Sequence, residues 1–271
     1  MDISGKLIAI TGAANGIGAA VAKEFSARGA RLALSDINVE ALKPLAQELG
    51  AVVATQCDAT SEQSIQAFIS SAEEQGDIDL FFSNAGFSTA EPSHAASADN
   101  GVWEKNWQLH VMAHVYASRA LLPKMIKRQE GYLVNIASAA GMLAQIGDAA
   151  YSATKHAALS FAESLAISHA DDGIKVSVVC PQYVNTDILG LAETERTKPL
   201  PGVISAEQCA SVIVDGIESE KFLILSHPEV QGYAENKTND REKWLDSMRR
   251  YRRSLLGDDG KLDLKRIFGA A

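Results

Sequence analysis

Tyr151 and Lys155 stand four positions apart in "YSATK", a stretch without proline or glycine, so a helix would place both on one face. A phenol, with an ordinary pKa of about 10, is a base near neutral pH only if a cation stabilises the phenolate. We expect Lys155 to supply that charge and Ser138 to hydrogen-bond the reacting oxygen. Such a set suits the removal of a hydroxyl proton as hydride leaves a carbinol carbon. Taken alone, Tyr151 would more often be a packed aromatic residue.

A glycine-rich turn follows the first apolar run of the chain, "LIAIT" at 7–11. Gly12, Gly16 and Gly18 would let the backbone approach a pyrophosphate, and the helix that begins inside the turn offers free N–H groups. The spacing GxxxGxG differs from the commoner GxGxxG, and such a turn alone is a weak signal. The strand before it and the helix after it favour a dinucleotide site.

Asp36 ends the second apolar run, 18 positions after Gly18. A carboxylate there can accept both hydroxyls of an adenosine ribose and would repel a 2′-phosphate. No lysine or arginine occurs at 13–15 or 37–38 to pair with such a phosphate. The pattern favours NAD over NADP. The alternative role of Asp36 is to cap the helix that starts near Asn38.

Apolar runs alternate with helical patterns along the chain, which predicts a single α/β domain with a parallel, doubly wound sheet and helices on both faces. The predicted strands are 7–11, 31–36, 51–57, 78–84, 132–138, 175–180 and 222–225. The predicted helices are 16–28, 38–49, 61–75, about 99–128, 149–171, about 205–219 and about 238–255. The irregular segments 87–98 and 182–204 follow strand ends and are the expected pocket walls.

The motif "TGAANGIG" at 11–18, the run 84–86 (Asn-Ala-Gly), Ser138, and Tyr151 and Lys155 thirteen and seventeen residues further on resemble the short-chain dehydrogenase/reductase family over about residues 5–225. The resemblance implies a seven-stranded Rossmann fold in which 1–225 bind the dinucleotide and perform catalysis. It implies a substrate loop at about 182–204 and a C-terminal extension of the same domain at 226–271. It further implies an NAD-dependent enzyme that interconverts a secondary alcohol and a ketone, in dimers or tetramers.

The resemblance also assigns cofactor contacts. Asp58 would contact the adenine, Thr186 the nicotinamide carboxamide, and Lys155 the nicotinamide ribose. The full set of expected cofactor residues is Gly12, Asn15, Gly16, Ile17, Gly18, Asp36, Ile37, Asp58, Ala59, Asn84, Ala85, Gly86, Tyr151, Lys155, Pro181, Val184 and Thr186.

Three positions depart from the family pattern. His110 stands where many members have an asparagine that completes a catalytic tetrad, and it is either part of a proton relay or a hydrogen-bonded core histidine. Gln182 replaces the usual glycine after Pro181, beside the substrate loop. Ala137 precedes Ser138 where relatives often have a second serine, and this change should matter little.

The composition excludes several function classes. A net charge of -9 and a pI near 5.2 argue against nucleic acid or acidic membranes as partners. Without a leader pattern or an apolar run of about 20 residues, a cytoplasmic protein is expected. Cys57, Cys180 and Cys209 lack the spacing of a metal or redox site.

The expected ligand is a small and mainly apolar alcohol or ketone. The loop residues that suggest it are Phe87, Met142, Leu143, Ile146, Tyr183, Ile188, Leu189 and Leu191. Two alternatives to the NAD-dependent dehydrogenase remain: an NADPH-dependent carbonyl reductase, and a non-catalytic NAD-binding sensor or scaffold.

Overall fold

The computed structural model describes residues 1–91 and 93–268. Its central sheet has seven parallel strands, as predicted, in the order β3-β2-β1-β4-β5-β6-β9. These strands are β1 (Leu7–Thr11), β2 (Arg31–Asp36), β3 (Val53–Gln56), β4 (Leu80–Ser83), β5 (Gly131–Ile136), β6 (Ile174–Val179) and β9 (Leu223–Ile224). A separate pair, β7 (Tyr183–Val184) with β8 (Val203–Ile204), lies within the predicted substrate loop.

Helices cover both faces of the sheet. They are α1 (Gly16–Ala27), α2 (Val39–Glu48), α3 (Glu62–Glu73), α4 (Asn100–Trp107), α5 (Ala113–Arg128), α6 (Ala149–His169), α7 (Glu193–Arg196), α8 (Ala206–Glu218), α9 (Glu229–Asn239) and α10 (Arg241–Ser254). The single α/β domain predicted from the alternating pattern is confirmed.

The alternation of side chains along β1 shows how the two layers form. Ile8 and Ile10 belong to one core, which also contains Phe25 of α1 and Ile213 of α8. Their neighbours Leu7 and Ala9 belong to the other core, with residues of α3, α5 and α6. Because successive strand residues point to opposite faces, a continuous apolar run is what a sheet buried on both sides requires.

The helix predicted at about 99–128 is found at 100–128, but it is not an α-helix throughout. A π-helical turn, Gln108–Met112, joins α4 to α5 and carries His110. A π-turn inserts one residue into the helical register, and such insertions occur frequently at functional sites. The spacing of apolar residues in the sequence predicts one long helix and does not reveal the inserted residue.

The C-terminal part of the prediction missed a helix. The expected helix near 238–255 is α10, and α9 precedes it, with only Asp240 between them. The Asp240 side chain accepts a hydrogen bond from the Lys243 N–H and caps α10. The apolar pattern did not reveal α9 because Val230 and Lys237 are its buried residues.

The parallel arrangement brings the loops after β1, β2, β4, β5 and β6 to one edge of the sheet, which is where α/β proteins bind ligands. Within the described residues, no helix is long and apolar enough to cross a membrane.

Candidate active site

A cleft of about 1000 Å³ opens at the carboxyl edge of the sheet. It brings together Ser138 and nearly all the expected cofactor residues; of these, Gly18 does not line it. His110 also lies outside the lining. Sequence reasoning missed one wall, which comes from α4 and the π-turn: Glu104, Lys105, Gln108 and Leu109. These residues belong to no recognisable motif, so only the folded chain reveals them.

The glycine-rich turn has the shape that a pyrophosphate requires. Gly12 has φ +66°, and a Cβ there would lie 2.8 Å from the Cα of Ala85. A Cβ on Gly18 would lie 2.1 Å from the carbonyl oxygen of Gly12, so Gly18 serves the packing of helix against turn rather than ligand contact. Asn15, at the start of α1, makes no side-chain capping bond. The first N–H groups of α1 are thus available to an anion.

Asn84 fixes this turn from the neighbouring strand end. Its Nδ2 donates to the carbonyl oxygens of Thr11 (3.1 Å) and Gly12 (2.9 Å), and its backbone N–H donates to the Thr11 hydroxyl (3.1 Å). The side chain therefore ties the end of β4 to the end of β1 and holds the turn in shape.

Asp36 is nearly buried at the end of β2. Its Oδ2 accepts from the Ala14 N–H and its Oδ1 from the Asn38 N–H, both at 2.9 Å. Asn38, not Asp36, caps α2, by accepting from the Ala41 N–H at 3.1 Å. The capping alternative for Asp36 is therefore wrong, and its carboxylate faces the cleft.

The described lining of the cleft beside Asp36 contains few basic side chains. The described lining of the cleft contains no arginine, and its lysines are Lys105 of α4 and Lys155 of α6. Next to Asp36 stands Ile37, whose side chain is 63% exposed.

The three expected catalytic groups lie just after β5 and on α6. The Ser138 hydroxyl accepts from the Ala140 N–H (3.1 Å) and so caps the turn that follows β5. Tyr151 lies in the first turn of α6. Lys155, one turn later, donates from Nζ to the carbonyl oxygen of Ile136 (3.0 Å) and lies 5.5 Å from the centroid of the Tyr151 ring.

Burial controls the ionisation of this set. It raises the pKa of Tyr151 to about 12, while the hydrogen bond with Ser138 acts in the opposite direction. It lowers the pKa of Lys155 to about 7. Desolvation of the buried phenol is the largest influence on the pKa of Tyr151 in the chain by itself. That the charge of Lys155 lowers this pKa stays a prediction.

His110 is completely buried and fully hydrogen-bonded. Its Nε2 accepts from the Phe87 N–H (3.3 Å), and its Nδ1 lies 3.2 Å from the Thr154 hydroxyl. Since Nε2 accepts, Nδ1 carries the proton and donates to Thr154, which in turn donates to the Ala150 carbonyl (2.9 Å). Burial, with the nearby charge of Lys155, holds the pKa of His110 well below its usual range. This geometry favours the core-histidine alternative.

His114 is a second buried histidine, four positions further on, that sequence reasoning missed. Neither of its ring nitrogens has a hydrogen-bond partner within the described residues. Burial lowers its pKa to about 3, and Lys155 acts in the same direction. The four-residue spacing of His110 and His114 is the sequence signal that could have revealed this second histidine, since it places both on one helical face.

Asp148, at the start of α6, is another residue that was not predicted from the sequence. It accepts from the Tyr151 N–H (3.1 Å) and thereby caps α6. It also accepts from the Ser88 hydroxyl (2.8 Å) and the Thr89 N–H (3.0 Å). Asp148 thus fastens the loop after β4 to the turn of α6 that carries the tyrosine.

The expected pocket-wall residues divide between two cavities. Phe87 and Ile188 line the main cleft, whereas Leu143, Ile146 and Tyr183 line a second cavity of about 670 Å³. Gln182 lines both, and its buried Oε1 has no hydrogen-bond partner among the described residues. The remaining expected wall residues, which line neither cavity, are Met142, Leu189 and Leu191.

The sheet is parallel, with a glycine-rich turn after β1 and a carboxylate at the end of β2. A serine, a tyrosine and a lysine line the same cleft. Together these features define the class of nicotinamide-dependent oxidoreductases. Comparison with known proteins refines the class. A model described as "short chain dehydrogenase" matches residues 6–197. The chain belongs to the short-chain dehydrogenase/reductase family.

Known relatives and solved structures agree with this assignment. Epidermal retinol dehydrogenase 2 of Mus musculus is 32% identical over 232 residues, covering 82% of this chain and 74% of the relative. A short-chain dehydrogenase/reductase from Burkholderia phymatum in complex with NAD superposes with a TM-score of 0.80 at 26% identity, over 89% of this chain and 96% of the other. A short-chain dehydrogenase from Sphingobium yanoikuyae in complex with NADPH gives a TM-score of 0.75 at 26% identity, over 89% and 95%.

Proposed function

We propose that this protein is an NAD(H)-dependent dehydrogenase that interconverts a secondary alcohol and a ketone. The observation that carries the proposal is the convergence of Ser138, Tyr151 and Lys155 on the same cleft that the glycine-rich turn and Asp36 line. A non-catalytic sensor or scaffold would have no use for all three polar groups beside a dinucleotide site.

The residues divide the chemistry between them. The cofactor, when bound, accepts or returns the hydride. The Ser138 hydroxyl holds the substrate oxygen, and Tyr151 takes the hydroxyl proton as the carbonyl forms. Because the pKa of Lys155 is about 7, its ammonium can exchange a proton near neutral pH. Lys155 in its charged form then stabilises the phenolate that burial otherwise disfavours.

NAD rather than NADP is supported by Asp36. The carboxylate would accept ribose hydroxyls and repel an added phosphate, and no arginine lines the described cleft. Solved relatives bind either cofactor, so this preference is a property of the chain's own residues. An NADPH-dependent carbonyl reductase is the runner-up.

Domain organisation, assembly and location complete the proposal. We place the catalytic domain at 1–225 and its extension at 226–271, and the protein in the cytoplasm as a dimer or tetramer. The assembly is inferred from membership of the short-chain dehydrogenase/reductase family. Light scattering on the purified protein tests the assembly, and a monomer at micromolar concentration would contradict it.

The experiment that tests the activity is absorbance at 340 nm with purified protein. NAD⁺ with a panel of secondary alcohols, and NADH with ketones, should give turnover. Cofactor binding without turnover on the whole panel would contradict the enzyme and support the sensor or scaffold. Faster turnover with NADPH than with NADH would support the carbonyl reductase.

A further inference from the structure

The loop after β4, residues 87–91, is tied to α6 at several successive positions. The Phe87 N–H donates to Nε2 of His110 (3.3 Å), and Nδ1 of the same ring contacts the Thr154 hydroxyl of α6 (3.2 Å). The His110 ring also lies against both side chains that it separates, with centroids 5.1 Å from the Phe87 ring and 5.3 Å from the Tyr151 ring. The position of the loop is therefore coupled to the position of the tyrosine.

Asp148 joins the loop to the tyrosine with a single carboxylate. Its Oδ2 accepts from the Ser88 hydroxyl (2.8 Å) and from the Thr89 N–H (3.0 Å), and its Oδ1 accepts from the Tyr151 N–H (3.1 Å). The side chain is buried and does not line the cleft, whereas Ser88 and Tyr151 both line it. Asp148 can therefore act on the cleft only through the residues that it holds.

Glu91 makes the reciprocal connection from the loop. Its Oε2 accepts from the N–H of Ala149, the first residue of α6 (3.1 Å), and its own N–H donates to the carbonyl oxygen of Gly147 (2.8 Å). The free N–H groups and partial positive charge at the start of a helix stabilise nearby carboxylates, so two acidic side chains can lie there together. We call the hydrogen bonds of Asp148 and Glu91 between 88–91 and 147–151 the carboxylate clasp.

The clasp also carries charge close to the phenol. Burial raises the pKa of Tyr151 to about 12, and the negative charge of Asp148 acts in the same direction. Burial raises the pKa of Asp148 itself, while the hydrogen bonds that it accepts favour the ionised carboxylate. The other titratable groups near these two side chains are Lys155, His110, Cys180 and Glu91.

We propose that Asp148 is a positioning residue for the dehydrogenase reaction, which fixes the loop 87–91 and Tyr151 relative to one another at the cleft. The inference rests on the proposed function and adds to it a residue that acts through the clasp. Because Phe87 and Ser88 line the cleft, binding of the alcohol should depend on this connection. The glycine-rich turn is held separately by Asn84, so binding of NAD⁺ should not.

Two variants keep the helix cap and change the clasp. Asp148→Ser and Asp148→Asn both retain an oxygen that can accept from the Tyr151 N–H, so α6 should remain folded. Serine is too short to reach the loop as well, whereas the asparagine amide can donate to the Ser88 hydroxyl. We expect KM for the best alcohol of the panel to rise about tenfold in Asp148→Ser and less in Asp148→Asn. The affinity for NAD⁺, measured by calorimetry, should stay within about twofold of wild type.

Asp99→Asn is the matched control. Asp99 is exposed and caps α4 by accepting from the Val102 N–H (2.9 Å), and asparagine is an equally good cap. This variant removes one carboxylate from a helix start without loosening the clasp. Its KM and its pH profile should therefore equal those of wild type.

The pH profile of kcat separates positioning from a role in stability alone. Both Asp148 variants remove a negative charge that disfavours the phenolate. The acidic limb for alcohol oxidation, which reports the coupled ionisation of Tyr151 and Lys155, should move to lower pH by about half a unit. With an active wild type, a KM of Asp148→Ser within about twofold of wild type, or an unmoved limb in both variants, would overturn the inference and leave the dehydrogenase intact. A wild type that oxidises no alcohol would contradict the dehydrogenase itself, and this role of Asp148 with it.

Discussion

Nζ of Lys155 lies 5.5 Å from the centroid of the Tyr151 ring and donates its hydrogen bond to the carbonyl oxygen of Ile136, the last residue of β5. The i,i+4 spacing on α6 aligns the two side chains, and the strand end fixes the ammonium. Ser138 follows two residues after Ile136, so one strand end positions both partners of the tyrosine. The arrangement of the three proposed catalytic residues therefore follows from how β5 packs beside α6.

Asp36 should determine the choice of cofactor. We expect wild type to prefer NAD⁺, and the double variant Asp36→Ala, Ile37→Arg to shift the ratio of kcat/KM for NADP⁺ over NAD⁺ at least tenfold, since it removes a repulsive charge and adds a phosphate partner. Ile37→Arg alone is the matched control, because Asp36 would still pair with the new arginine. Asp36 also accepts two backbone hydrogen bonds, so its replacement can affect the binding of both cofactors alike. The quantity compared is therefore the ratio of kcat/KM for the two cofactors within each variant. A wild-type preference for NADP⁺ would refute the role of Asp36.

His110 should be replaceable by asparagine but not by leucine. His110→Asn retains groups that can bond the Phe87 N–H and the Thr154 hydroxyl, so we expect most of kcat to remain. His110→Leu leaves these groups unpaired and should cost about 1–3 kcal/mol of unfolding free energy. Initial rates and urea unfolding check both. A loss of turnover in His110→Asn as large as that in Tyr151→Phe would show that the imidazole itself moves protons.

His114 should make the protein acid-sensitive. Its folded pKa is about 3, against an ordinary value of 6.5, so between these values the unfolded chain binds a proton that the folded chain does not. The free energy of unfolding must then fall as pH falls, by about 2 kcal/mol from pH 7 to pH 5.

His114→Leu removes this proton and two unpartnered polar atoms, so we expect equal or higher stability at pH 7 and a smaller loss at pH 5. Urea unfolding at both pH values measures this, with the exposed His94→Leu as control. The prediction fails if His114→Leu loses as much stability on acidification as wild type.

Local patterns predict much of this fold and site. The strands are short apolar runs that must be buried on both faces. The glycine-rich turn and "YSATK" can be recognised from the spacing of their residues in the sequence. The π-turn at His110, the ionisation of Tyr151 and the cavity behind Gln182 were not predictable in this way. Each depends on which groups surround a side chain after folding: one inserted residue, the degree of desolvation, and an α9 helix whose few buried residues include Lys237.

Turnover of Tyr151→Phe, followed at 340 nm with NAD⁺ and the best alcohol of the panel, tests the central assignment most directly. Phenylalanine keeps the ring that contacts His110 (5.3 Å between centroids) and removes only the hydroxyl. We predict that kcat falls at least a hundredfold while NAD⁺ binding, measured by calorimetry, persists. A variant that oxidises the alcohol within tenfold of the wild-type rate would contradict the assignment of Tyr151 as the acid/base.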